Sequence, residues 1–275
     1  MSTPSSLDGA DLVDASHAAD FRSWLRFREL VRNLVLKDLR LKYRGSVFGF
    51  LWSLVNPLVM VAVYTLAFGY ILQIRTPAFV LFLVSGLLAW GYFAGAAVMS
   101  TGAVIDSGSL VKSVYFPRAI LPLSSVLFNL AQYVMTIAVI VPLVLLIHQV
   151  PLSLPMLCFP LFLVLQTLFT IGVAFTLATT TAFLRDVRHF LEIALQVLFW
   201  LTPIVYEFRA MPDRLKPLVL ASPLSPYILG YQQSLYYREW PALWMVALAA
   251  AYAAGALAVG LILFQRYEDR FTEQL

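Results

Sequence analysis

Lys37 to Pro57 reads KDLRLKYRGSVFGFLWSLVNP, and its two halves suit different solvents. The eight residues Lys37–Arg44 carry four cations and one acid. The 30 residues from Gly45 to Ile74 contain no Lys, Arg, Asp or Glu. A bilayer crossing needs about 20 mostly apolar residues, so the second half opens a membrane span and the first half lies at its edge. Gly45-Ser46 is the expected bend between them.

The whole chain extends that reading. Of 275 residues, 61% are hydrophobic and 12% charged, against about 25% charged in soluble domains. That is too little charge to coat a water-facing surface, so the chain is expected to be an integral membrane protein. A cleavable signal peptide begins with a short basic region followed by a short apolar core. The first apolar run starts only after 44 residues, so the N-terminus is expected to be retained. Cys158 is the only cysteine and the three histidines are scattered. An internal disulfide and a thiolate metal site are excluded, and no metal site of any kind is expected.

Charge gaps locate the remaining spans. Thr76–Ile105 is 30 residues without charge, Ala119–Leu184 is 66 and Pro241–Gln265 is 25. The longest holds two crossings, with a turn at His148–Pro151. A further run is interrupted by Glu192 and continues from Ile193 to Tyr206. The runs are long and do not alternate with period two, so they are helices rather than barrel strands. The expected fold is an all-α integral membrane protein with six transmembrane helices, near 48–72, 78–104, 119–147, 155–184, 190–206 and 241–265. Residues 1–20 are read as a flexible N-terminus, 45–265 as the transmembrane domain and 266–275 as a tail.

With this topology both termini share a side, which collects 14 of the 19 cations. The excess of Lys and Arg marks that side as cytoplasmic. Within 21–44, polar residues recur at Arg22, Arg26, Glu29, Asn33, Lys37, Arg40 and Arg44, one face of a 3.6-residue period. Trp24, Phe27, Val31, Leu34 and Val35 point the other way. Such a helix lies in the membrane interface and is drawn to anionic lipid. Asp38 and Lys42 fall on the apolar side, where they could pair at i, i+4. On the opposite side of the membrane, 207–238 holds short apolar pieces broken by Pro212, Pro217, Pro223 and Pro226. They form either two short re-entrant helices against a cavity or an external cap lying flat.

Several stretches carry a family resemblance. They are Leu36–Arg40 with Tyr43-Arg44, Gly49–Trp52 and Asn56-Pro57, then Leu110–Arg118 with Leu121-Pro122. Phe183–Val187, Pro203–Tyr206 and Ser222–Pro226 complete the set. In this order they resemble the membrane subunit of bacterial polysaccharide exporters of the ATP-binding-cassette class, which move O-antigen, capsule or teichoic-acid chains on a polyprenyl diphosphate carrier. The resemblance implies the same architecture: an N-terminal interfacial helix, six spans and two re-entrant helices before the last. It implies a homodimer in the bacterial plasma membrane with two copies of a separate ATPase. No G-x-x-x-x-G-K-[ST] loop occurs in the chain, so ATP and Mg belong to that partner and this chain holds no cofactor. Neither catalytic residues nor a nucleic-acid partner are implied.

Candidate sites follow. The segment 105–117 is expected to couple to the ATPase through Asp106, Leu110, Lys112, Tyr115 and Phe116, with Arg118 beside it. Asp106 could cap its start, and the alternative is an ordinary polar loop. Arg185 and Asp186 are a second candidate contact. The resemblance implies that the first and fifth spans line the substrate path, so Trp52, Tyr64 and Phe68 in the first and Phe199, Trp200 and Tyr206 in the fifth are its candidates, and aromatic faces suit sugar rings. They could equally be packing or interface anchors. Arg40, Lys42 and Arg44 could meet the carrier diphosphate or simply express the positive-inside rule. Tyr227, Tyr231 and Tyr236 are candidates for an external gate. Glu192, near the start of the fifth span, could snorkel or pair with Arg188. Other readings are a small-molecule or drug exporter of the same superfamily and a membrane glycosyl- or acyltransferase. The transferase would need catalytic groups converging at an interface, and for the external acids Glu207, Asp213 and Glu239 the one histidine on offer is His148. A proton- or sodium-coupled carrier would need a mid-membrane carboxylate.

Overall fold

A computed structural model describes residues 21–46, 49, 51–71, 73, 78–108 and 116–271, with side chains described from residue 28 onward. All regular structure among these residues is helical. Helix α1 spans Phe21–Tyr43 and α2 spans Leu51–Tyr64, continued by a π-helical turn over Thr65–Ile71. Next come α3, Phe79–Gly102, and α4, Ile120–Ile147. A 3-10 turn, Leu154–Cys158, leads into α5, Phe159–Phe183, and α6 is Val187–Leu201. Two short helices follow, α7 at Lys216–Leu220 and α8 at Ser225–Tyr231, the latter running into a π turn over Gln232–Tyr237. Helix α9, Leu243–Tyr267, is the last long one.

The opening stretch behaves as its residues require. Helix α1 ends at Tyr43, and Gly45 sits at φ 74°, a left-handed conformation open to glycine at no steric penalty. Ser46 then accepts a bond from the Gly49 amide at 3.1 Å. The Tyr43 hydroxyl bonds Ser53 and clips the two helices together. Glu29, Asn33, Lys37 and Arg40 are exposed, while Val31, Leu34 and Val35 are partly covered. The apolar side is covered by the protein itself: Leu30, Val31 and Leu34 pack on Phe116, Ile120 and Leu121. Asp38 and Lys42 form no ion pair; Lys42 instead reaches across to the Gln132 side chain on α4.

Among the described residues, five helices are long and apolar enough to cross a membrane: 51–71, 79–102, 120–147, 154–183 and 243–270. The predicted turn between α4 and α5 forms at His148–Pro151, where Gln149 takes φ 52° and the Val150 amide bonds Leu145 O at 2.9 Å. The region read as a fifth span, 190–206, is a 15-residue helix followed by a bend. Thr202, with φ −89° and ψ 137°, leaves the helix one residue before Pro203, because a proline's Cδ disfavours helical backbone in the residue before it.

Helix α3 is the centre of the bundle, packed on α4, α5 and α6. Its most apolar stretch is 72% buried, whereas that of α2 is 6% buried. Helices α5 and α9 lie along one another over most of their length. Val104 packs with Phe175, Phe264 and Phe271, and the Arg118 guanidinium bonds the Glu268 carbonyl. Together with the contact of α1 on Phe116, these place both described ends of the chain at one end of the bundle.

Candidate functional site

An aromatic row runs between α2, α3 and α6. Tyr64 stacks on Phe199 at 6.0 Å and lies 6.1 Å from Phe68. Phe199 meets Trp90 and Trp200 edge-on, each at 5.4 Å. Phe68 continues to Phe79 at 6.4 Å, Phe79 to Phe82 at 6.0 Å, and Phe82 to Tyr236 at 5.4 Å. Four of the six predicted path residues are thus gathered. Trp90, Phe79 and Phe82 join them from a helix whose aromatics carried no distinguishing signal in the sequence. Trp200 is exposed at one margin. Trp52 is also exposed, farther along α2. Tyr206 is half-buried and donates to the carbonyls of Trp200 and Leu201 at 3.1 Å, bracing the bend after α6. It also lines, with Phe79, Glu207, Met211 and Leu215, a cleft of about 450 Å³.

The predicted gate tyrosines are divided. Tyr227 and Tyr231 are fully buried on α8. Tyr227 donates to Ala249 O on α9 at 2.9 Å. Tyr231 donates to Gln166 Oε1 on α5 at 2.7 Å, and Gln166 Nε2 donates to Ala89 O on α3 at 2.9 Å. One buried amide therefore ties three helices together. Tyr236 is half-buried at the end of the aromatic row. Beyond it, Arg209 lies 3.8 Å over the Tyr237 ring, donates to Gln233 Oε1 at 3.1 Å and pairs with Glu239. The bond and charge of Arg209 hold the Glu239 carboxyl below its ordinary range, and Glu239 in turn raises Arg209.

At the opposite end, Leu110, Lys112 and Tyr115 lie outside the described residues. Phe116 is buried against α1 and α4, and Arg118 is turned to the end of α9. Arg185 and Asp186 are exposed. Asp106 comes within 3.6 Å of Arg188, joining the turn after α3 to the start of α6. Arg188 makes this contact and no ion pair with Glu192, which is exposed. The sequence offered Arg188 only as a neighbour for Glu192 and did not single out Gln166, since the partners both take are distant along the chain.

Arg40 and Arg44 are exposed on α1. Lys42 and Asp38 line a groove of about 650 Å³ with Gly95, Val98, Phe128 and Asn129. Partial burial lowers the Lys42 ammonium and raises the Asp38 carboxyl from their ordinary values. No group of three or more metal-ligating side chains occurs among the described residues.

The sequence pattern described as ABC-2 type transporter matches residues 29–236. A Klebsiella pneumoniae protein named O-antigen export system permease protein RfbA is 30% identical over 241 residues, covering 87% of this chain and 92% of that protein. A Myxococcus xanthus protein of the same name is 29% identical over 256 residues, covering 92% and 98%.

Proposed function

The chain belongs to the ABC-2 type transporter family, and on that footing we propose that it forms the membrane pathway of an ATP-driven exporter. The cargo is a cell-surface polysaccharide such as O-antigen, carried on a polyprenyl diphosphate lipid from the cytoplasmic to the external face of the bacterial plasma membrane. The observation that carries this reading is the similarity to permeases named for O-antigen export over 87% of the chain. The row from Trp200 through Phe199 and Tyr64 to Tyr236 supports it, because stacked rings can pass sugar faces without ionic contacts.

The working unit is a homodimer with two copies of a separate ATPase, which holds ATP and Mg. The nearly bare surface of α2 supports a second copy. Both termini are cytoplasmic. A sixth crossing is made by α6 together with the bend to Tyr206. The helix alone, at 15 residues, spans only roughly 22 Å, and the shared end of α1 and of the last turn of α9 supports an even number of crossings. Helices α7 and α8 form the re-entrant hairpin, supported by the burial of Tyr227 and Tyr231 between long helices. The coupling segment 105–117 and the Arg185-Asp186 loop contact the ATPase, and Arg40, Lys42 and Arg44 meet the carrier diphosphate.

The test is the location of lipid-linked glycan in cells lacking this chain. Accumulation on the cytoplasmic leaflet with loss of surface polymer is expected. Unchanged surface polymer with no build-up of lipid-linked sugar would overturn the cargo.

A further inference from the structure

Asp106 lies one turn beyond α3, its amide bonded to Gly102 O at 2.8 Å. Arg188 lies in the first turn of α6. Its Nη2 is 3.6 Å from Asp106 Oδ2, and its Nε donates to Thr101 Oγ1 at 3.4 Å. Thr101 is buried and gives its own proton to Val98 O at 2.7 Å, so its oxygen is oriented to accept. The guanidinium and carboxylate meet directly over Gly102. A Cβ there would stand 2.1 Å from Asp106 Oδ2 and 2.7 Å from Arg188 Nη2. The pair therefore occupies space that only glycine leaves open.

Stability is a poor account of this arrangement. The two side chains are 47% and 70% exposed, and ion pairs so open to water contribute little. Position is a better one. The pair fastens the end of α3 to the start of α6, and Trp90, midway along α3, meets Phe199 near the end of α6 edge-on. Between these points Leu191 and Leu195 are buried in the core. Helix α6 thus meets α3 near both of its own ends, with Phe199 and Trp200 at the far one.

The geometry points to Asp106 and Arg188 as positioning residues that lock the turn after α3 and helix α6 into one unit, so that displacement of that turn by the ATPase moves Phe199 and Trp200 in the pathway. This rests on the exporter reading above. It makes the two proposed ATPase contacts, at Asp106 and at Arg185-Asp186, a single input. It also explains why a half-exposed pair is built over a glycine.

The experiment compares the full chain with its ATPase, in cells making the glycan, as wild type, Asp106→Arg, Arg188→Asp, the exchange of both, and Gly102→Ala. The alanine keeps both charges and displaces only the flexible tips of two side chains. Each single reversal and Gly102→Ala is expected to lower surface glycan by about fivefold or more, the range of ordinary coupling between sites. Chain abundance stays near wild type throughout, ATP hydrolysis by the purified complex stays near wild type in Arg188→Asp and Gly102→Ala, and the exchange restores most of the export. In a Cys158→Ala background, thiol labelling of Trp200→Cys should change on ATP binding in wild type and in the exchange, but not in the single reversals. Single reversals that export normally and keep the ATP-dependent labelling would overturn the pairing. So would an exchange no better than either reversal. If the wild-type chain itself does not alter where lipid-linked glycan resides, the exporter reading fails instead, and the labelling comparison still decides the pair.

Discussion

A Cβ added at Gly260 would stand 2.1 Å from the carbonyl oxygen of Gly172. The reverse addition at Gly172 would fall 2.3 Å from the backbone carbon of Ala256. Helices α5 and α9 therefore touch backbone to backbone. Ala249, Ala253 and Gly260 are buried along this face of α9. In a bilayer, where helices gain little from burying apolar surface, such small-residue contacts supply the attraction. Gly260→Ala is expected to destabilise the bundle by about 1–3 kcal/mol, the usual penalty of overpacking. A thermal midpoint in detergent unchanged from wild type would show that the two helices can part without penalty.

Gln166 is fully buried and satisfies Tyr231 with its oxygen and Ala89 with its amide. Gln166→Leu keeps similar bulk but orphans the Tyr231 hydroxyl, at roughly 1–3 kcal/mol for an unpaired buried group. Tyr231→Phe combined with Gln166→Leu should be less damaging than the sum of the two, because each removes the other's partner. Strict additivity of their thermal shifts would mean that the hydrogen bond does not hold α8 in place.

Acid should loosen the knot around Arg209. The Glu239 carboxyl titrates below its ordinary 4.5 because Arg209 bonds it. A depressed folded value means that the pair's stabilisation is complete above the unfolded value and is lost as pH falls through the folded one. The pair is about half exposed, so the effect is small, about 0.2–1 kcal/mol. Amide exchange of residues 233–240, corrected for intrinsic rate, should be flat from neutral pH down to about 5 and rise below about 4. Glu239→Gln should show the raised exchange already at neutral pH. Asp213, lowered by its bond to Lys216 at 2.6 Å, responds in the same direction and leaves a residual pH slope.

Trp52 and Trp200 are both exposed in the single chain, whereas Tyr64 is half-buried within the aromatic row. In a Cys158→Ala background, cysteines at 52 and 200 should react with a membrane-permeant thiol reagent and block export. A cysteine at 64 should react more slowly. Complete protection of residues 52 and 200 in every nucleotide state would place them in packing.

The membrane class, the helical architecture and the family were all legible in the sequence. Charge gaps report where a helix can cross, and the ordered stretches from Leu36 to Pro226 carried the family likeness. Helix α1 was legible because its polar residues recur with helical period, and the bend after it because Gly45 sits where the charge stops. The break at Thr202 was less plain. Pro203 stood in the sequence, but the apolar run continued past it to Tyr206 and concealed that the helix ends at Leu201.

Periodicity and composition depend on neighbours along the chain, so they determined what each segment is and, for α1, which residues share a face. They did not determine which segments meet. Only the tertiary structure decided that Arg188 pairs with Asp106 rather than Glu192 one turn away, that Lys42 reaches Gln132 rather than Asp38, and that Tyr231 shares Gln166 with Ala89. Each of these choices was made by packing. A long side chain takes the partner that a neighbouring helix brings within reach, and that approach is set by small residues such as Gly102 and Gly172, whose significance is invisible until another backbone or side chain fills the space beside them.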